Sequence, residues 1–148
     1  MPKAPQAASR PRVALLVESS MASGRQILRG IARYLRESGR WSVYHGPEHI
    51  QATVPHWLED WNGNGVIARV RTEKGAQMLL EAGIPVIDVL GDWPHPNIPI
   101  VQVNSHLVGK LAASHFLDRG FRRFVFCGLR DRRWVQQRQA AFQEMVQA

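Results

Sequence analysis

The ordered pattern of the chain begins at Arg12-Val13-Ala14-Leu15-Leu16-Val17, a nearly continuous apolar run of the kind that suits a strand covered on both faces. A loop of small residues follows from Ser20 to Gly24, and Arg25 to Ser38 has helical periodicity with Gly39 as its stop. The alternation then repeats. Trp41 to His45 predicts a strand, Pro55 to Trp61 a short helix opened by a proline, and Gly65 to Val70 a buried strand after the Asn62-Gly63-Asn64 turn. Glu73 to Ala82 predicts a helix closed by Gly83, and Pro85 to Leu90 a strand closed by Gly91. After an irregular, proline-rich crossing from Asp92 to Pro99, the pattern predicts a strand at Ile100 to Val103 and a helix from Ser105 to Arg119 ended by Gly120. A sixth strand at Arg123 to Cys127 and a last helix from Asp131 to Val146 complete it. Strands alternating with helices predict βαβ units, hence an α/β fold: a three-layer, doubly wound parallel sheet with right-handed crossovers.

Composition sharpens this picture. Residues 1–11 hold three prolines and no periodicity, so they read as a flexible leader before a single domain over 12–148. Five Trp, five Phe and 45% hydrophobic residues supply a core, which excludes disorder over the whole chain. No apolar run approaches the roughly 18 residues of a membrane span, and the leader lacks the apolar stretch of a secretory signal. The single cysteine, Cys127, lies inside an apolar run and is expected as a buried thiol; a lone cysteine fits a cytoplasmic location. The formal net charge is +7, and 16 of the 19 cations are arginine, which brings nucleic acid to mind. Arg25, Arg29, Arg33, Arg36 and Arg40 share one arc of the first helix, beside an apolar arc of Ile27, Leu28, Ile31 and Leu35. That arginine arc reads as solvated surface or as a subunit contact of a homodimer ahead of a DNA contact, because no helix-turn-helix pattern lies nearby.

In open parallel sheets ligands bind beyond the carboxyl ends of the strands. Those ends carry Glu18, Ser19 and Ser20, then Gly46 and Glu48, Arg69 and Arg71, Asp88 and Asp92, Asn104, and finally Arg130, Asp131 and Arg132. This mixed-charge rim suits a hydroxyl-rich ligand better than a bare phosphate. Phosphate cradles of the Gly-x-Gly-x-x-Gly or Walker type are missing, the six His are scattered outside any His-Glu-x-x-His frame, and Ser19 and Ser20 lack the glycines of a nucleophile elbow. No catalytic residue, metal or cofactor is therefore expected. An enzyme acting on a sugar or nucleotide in the same crevice is the competing reading, and it needs an acid or base beside a nucleophile. Arg138 is the most informative single residue. It falls among Val135, Phe142, Met145 and Val146 on one side of the last helix, where a cation is costly unless it is paired or reaches a polar pocket. A salt bridge or snorkelling would meet that cost, as would reaching into the crevice to bind ligand hydroxyls.

Four blocks of sequence carry a resemblance. Val13 to Ser20 with Gly24 to Ile31, and Trp57-Leu58-Glu59-Asp60-Trp61 leading into Gly63 to Ala68, resemble the sugar-sensing domain of xylose operon regulators of the XylR type. Gly109 to Gly128 is similar to the helix-strand signature of LacI/GalR-type sensors, and Trp134 with Arg138 and Phe142 matches a fourth block. The resemblance implies a flavodoxin-like lobe of a periplasmic-binding-protein-like type I fold, in a cytoplasmic bacterial regulator that senses a monosaccharide, a pentose such as xylose, without catalysis. It implies that Arg138 takes the place of a sugar-contacting arginine and that Glu18 and Ser20 line the crevice. With the rim residues Arg69, Asp88 and Asn104, and with Trp134 of the fourth block, these make the candidate ligand set. Where the family usually carries Asp-Asn after the fifth strand, this chain has Asn104-Ser105, which removes a carboxylate and shortens an amide. The family's second lobe and its AraC-like helix-turn-helix module, the part that meets operator DNA, have no counterpart here, so residues 12–148 are expected to be an N-terminal lobe from a truncated product.

Overall fold

The computed structural model describes residues 10–46, 55–58 and 60–147. The expected leader as far as Ser9, and the rim residue Glu48, lie outside the described residues. The chain divides into two compact units, residues 1–100 and 101–148.

The first unit is built on a parallel sheet of β1 (Arg12–Leu16), β2 (Ser42–His45), β3 (Gly65–Ala68) and β4 (Val86–Asp88), in the spatial order β2-β1-β3-β4. Central β1 is buried from Val13 to Leu16, as its unbroken apolar run requires. Ladder neighbours follow the two-residue period: Ala14 lies beside Val66 and Leu16 beside Ala68. These four join Leu58, Val70, Ala76, Leu79, Val86 and Ile98 in one apolar core. Helices α1 (Ala22–Ser38) and α2 (Glu73–Glu81) supply the crossovers. Thr72 caps α2 by accepting the Gly75 N–H at 3.1 Å. At the end of α1, Gly39 takes a left-handed φ of 58° and donates its N–H to Leu35 O at 2.8 Å. The short helix expected at Pro55 to Trp61 is a single 3-10 turn over His56–Leu58.

Gly24 fixes how α1 leaves the sheet. A Cβ built on it would stand 1.9 Å from the backbone oxygen of Glu18, so the first turn of the helix lies directly on the loop after β1. Gly24→Ala must displace that loop. It is expected to cost about 2 kcal/mol, read as a lower urea midpoint, and an unchanged midpoint would mean that the loop yields freely.

The second unit pairs α3 (Ser105–Leu117) with α4 (Arg133–Gln147). The helices approach through small residues. A Cβ on Gly109 would meet Arg138 O at 2.4 Å, and Ala113, Val135 and Ala141 are buried. Glu144 on α4 faces His106 and Lys110 of α3 at 3.4 Å each.

Three expectations are corrected. Ile100 to Val103 is not a strand; Ile100 makes an isolated bridge to Asp88, with the Asp88 N–H donated to Pro99 O at 2.9 Å. Arg123 to Cys127 is irregular as well, with Val125 96% exposed. An apolar run becomes a strand only when a neighbour shares its ladder hydrogen bonds; the first segment has that contact at Ile100 alone, and Arg123 to Cys127 has none among the described residues. Cys127, expected to be buried, is exposed for the same reason.

Candidate functional site

Because the four strands are parallel, their carboxyl ends share one edge of the sheet. β1 runs out through Val17 into Glu18, and β3 through Arg69, Val70 and Arg71. The alternation of the backbone places Arg69 and Arg71 on the same side, and both guanidinium groups close on Glu18. Arg69 Nη1 and Arg71 Nη2 donate to the same carboxylate oxygen, Oε1, the latter at 2.5 Å. Arg69 Nη1 also reaches Ser23 Oγ at 3.3 Å. Side-chain exposure falls from 25% at Arg71 to 10% at Glu18 and 9% at Arg69. Arg69 is therefore the inner cation and Arg71 the outer one. Burial pushes the Arg69 guanidinium below its ordinary pKa; Glu18 opposes that shift, Arg71 adds to it, and Asp92 and Asp88 oppose it further. Arg69 Nε is buried without a hydrogen-bond partner in the structure.

The loop that carries Glu18 is held from two sides. Arg25 folds back from α1 and its Nη1 donates to the carbonyls of Ser19 at 2.9 Å and Ser20 at 2.7 Å. His45 Nε2, at the end of β2, donates to Val17 O at 2.8 Å. Ser20 stands exposed at the lip.

Asp88 has a different place from the one its position at a strand end suggested. It is 1% exposed. Its Oδ1 accepts the N–H of Val70 at 3.1 Å and of Leu90 at 2.9 Å, and its Oδ2 accepts the Gly91 N–H at 2.8 Å. The carboxylate braces the ends of β3 and β4, and that burial leaves it no face for a ligand. Gly91 closes the brace with a φ of 76°.

In the second unit Asn104 caps α3, its Oδ1 accepting the Leu107 N–H at 2.9 Å. It also borders a groove of about 420 Å³ lined by Gln102, Asn104, Ser105, His106 and Gln137. Arg138 resolves the conflict noted in the sequence by lying over the ring of Trp134, one helical turn earlier, at 4.6 Å from the centroid. Its Nε is buried without a hydrogen-bond partner. The structure thus brings Glu18 to Arg69, and Trp134 to Arg138. The ligand set drawn from sequence left out Arg71 and Ser23. An Arg-x-Arg pair leaving a strand was the available signal for the first, and no spacing pointed to the second.

Among the described residues no group of three His, Cys, Asp or Glu side chains is placed to hold a metal, and no helix is long and apolar enough to cross a membrane.

Comparison with known proteins agrees with this architecture. The xylose operon regulatory protein of Escherichia coli K12 is 28% identical over 145 residues, covering 93% of this chain and 36% of that protein. A solved structure of the xylose-binding transcription activator xylR superposes with a TM-score of 0.75 at 26% identity, over 95% of this chain and 36% of the other. A periplasmic binding protein/LacI transcriptional regulator from Alkaliphilus metalliredigens, solved with D-xylulofuranose, shares the fold with a TM-score of 0.70 at 17% identity, over 94% and 53% of the two chains. The sheet and its helices are those of a periplasmic-binding-protein-like lobe. The chain spans about a third of the length of the curated relatives it matches. Residues 12–105, more than half of the chain, match the XylR N-terminal domain, and the chain belongs to that family.

Proposed function

We propose that this chain is the effector-sensing lobe of a bacterial sugar-responsive regulator, that its effector is a pentose, D-xylose, and that it performs no catalysis. The observation that carries this reading is the Glu18–Arg69–Arg71 cluster at the carboxyl edge of the sheet. It is a fixed array of guanidinium donors and one carboxylate acceptor, suited to orienting hydroxyl groups. Arg71, the more exposed cation, offers donors; Glu18 and Ser20 offer acceptors at the lip. Asn104, Trp134 and Arg138 are the proposed ligand contacts of the second unit, an aromatic ring and a stacked guanidinium being suited to the faces and hydroxyls of a sugar ring. Asp88 keeps the frame rigid and leaves the contact set.

In the family this lobe works opposite a second one, with an AraC-like helix-turn-helix module that reads operator DNA. Sugar would stabilise the closed arrangement and bias DNA binding by its differential affinity for that state. A single lobe covers only part of a monosaccharide, so calorimetry on the 148-residue chain is expected to show affinity for D-xylose weaker than micromolar; micromolar affinity would overturn the two-lobe reading. In the two-lobe protein, Arg138→Ala is expected to raise the xylose concentration for half-maximal response about tenfold to a hundredfold, the worth of one or two charged hydrogen bonds, with unfolding unchanged. An unaltered response would remove Arg138 from the site.

A further inference from the structure

The outer face of α1 is a row of cations with a single acidic neighbour, Glu37, among the described residues. Arg29, Arg33 and Arg36 are exposed and fall within an arc of about 60°, over about 10 Å of helix axis. Among the described residues Arg29 and Arg36 have no acidic partner, and Arg33 meets only Glu37, at 4.0 Å with both side chains exposed. The helix carries most of this row against its own electrostatics, only Arg36 standing in the last turn, where the dipole favours a cation. Arg25 and Arg29, and Arg29 and Arg33, are like-charge pairs four residues apart, Arg33 and Arg36 a pair three apart, and no acidic residue stands in the first turn to offset the helix dipole. Gly30 lies beside the row with nothing within 4 Å of its would-be Cβ, so no packing need explains a helix-weakening glycine there. It leaves a flat place where another backbone can come close.

We propose that this face is a contact surface for the phosphate backbone of duplex DNA, independent of base sequence and separate from the sugar-sensing site. Three features favour DNA over other partners. Ile27, Leu28, Ile31 and Leu35 are half-buried in the protein, so the helix has no free apolar face to insert into a lipid surface. A second copy docking through the same face would set the arginine rows against each other. Guanidinium forks spaced along a line match a polyanion whose charges repeat every few ångströms.

The test is fluorescence anisotropy of the 148-residue chain with a labelled duplex of arbitrary sequence, across a salt series. Three phosphate contacts predict a fall in affinity of about 40-fold between 50 and 200 mM salt. R29Q/R36Q removes two of them, so the fall over the same range shrinks to a few-fold, while R122Q/R123Q, which removes equal charge from the second unit, leaves it unchanged. No binding at 50 mM salt overturns the proposal, as does an equal loss in both variants, which would mean diffuse attraction. Sedimentation showing a dimer that R29Q/R36Q dissolves would assign the face to a second copy and overturn it too.

Discussion

Asp88→Ala is expected to cost about 4 kcal/mol of stability, the largest loss from any single substitution at the strand ends. The carboxylate is sealed from water and accepts three backbone N–H groups, from Val70, Leu90 and Gly91. Alanine leaves all three donors unsatisfied, those of Val70 and Gly91 buried and that of Leu90 half-buried, and each buried donor costs about 1–3 kcal/mol. Asp88→Asn should lose about half as much, since its one remaining oxygen can still accept from Val70 and Leu90 while its amide faces the Gly91 N–H. Trp57 and Trp61 pack against the core of this unit, so their fluorescence in a urea titration reports its unfolding. At about 2–4 °C per kcal/mol, the alanine variant should melt some 8–16 °C lower. A shift of only a degree or two would show that water reaches these amides and that the brace is not structural.

Glu18→Gln is the second large effect. It removes the one carboxylate on which Arg69 and Arg71 converge and strands the inner guanidinium, which is nine-tenths buried, beside a like charge. Breaking a buried pair from one side costs about 3–5 kcal/mol, and the half-open position of Arg71 places this case near the lower end. Arg69→Met in the same background should restore part of the loss, because the uncompensated charge disappears with it. The double variant is therefore expected to be more stable than the sum of the single changes predicts by at least about 1 kcal/mol. Strict additivity would mean that the two side chains do not depend on each other, and the cluster could not then serve as a fixed donor array.

Much of the frame is written locally. The run from Val13 to Val17 has no polar interruption and lies in the centre of the sheet. Gly39, Gly83, Gly91 and Gly120 all take positive φ, each just beyond the element it was expected to close. The two missing strands show where local composition stops being informative. Phe124-Val125-Phe126-Cys127 has the residues of a strand, but a ladder is a property of two segments, and among the described residues this one has no ladder partner. The acids at the strand ends show the same limit at the site. Glu18 and Asp88 occupy equivalent places in the pattern, yet the short Asp side chain turns back onto the N–H groups two and three residues along its own loop. The longer Glu side chain reaches across to the next-but-one segment of chain. An Asp followed three residues later by Gly is the turn signature that would have separated them. Arg138 was legible as a cation in need of a partner. That the partner would be Trp134, four residues earlier on its own helix, was available from spacing alone.

The most direct test of the sensing account is a nitrogen-15 NMR titration of the chain with D-xylose at millimolar concentrations. The account predicts progressive, unsaturated shifts at the amides of Glu18 to Gly24, at Arg69 to Arg71 and at the Trp134 indole N–H, with the Tyr44–Trp57–Trp61 aromatic cluster unmoved. Shifts confined to that cluster, or none at the Glu18 loop, would contradict it.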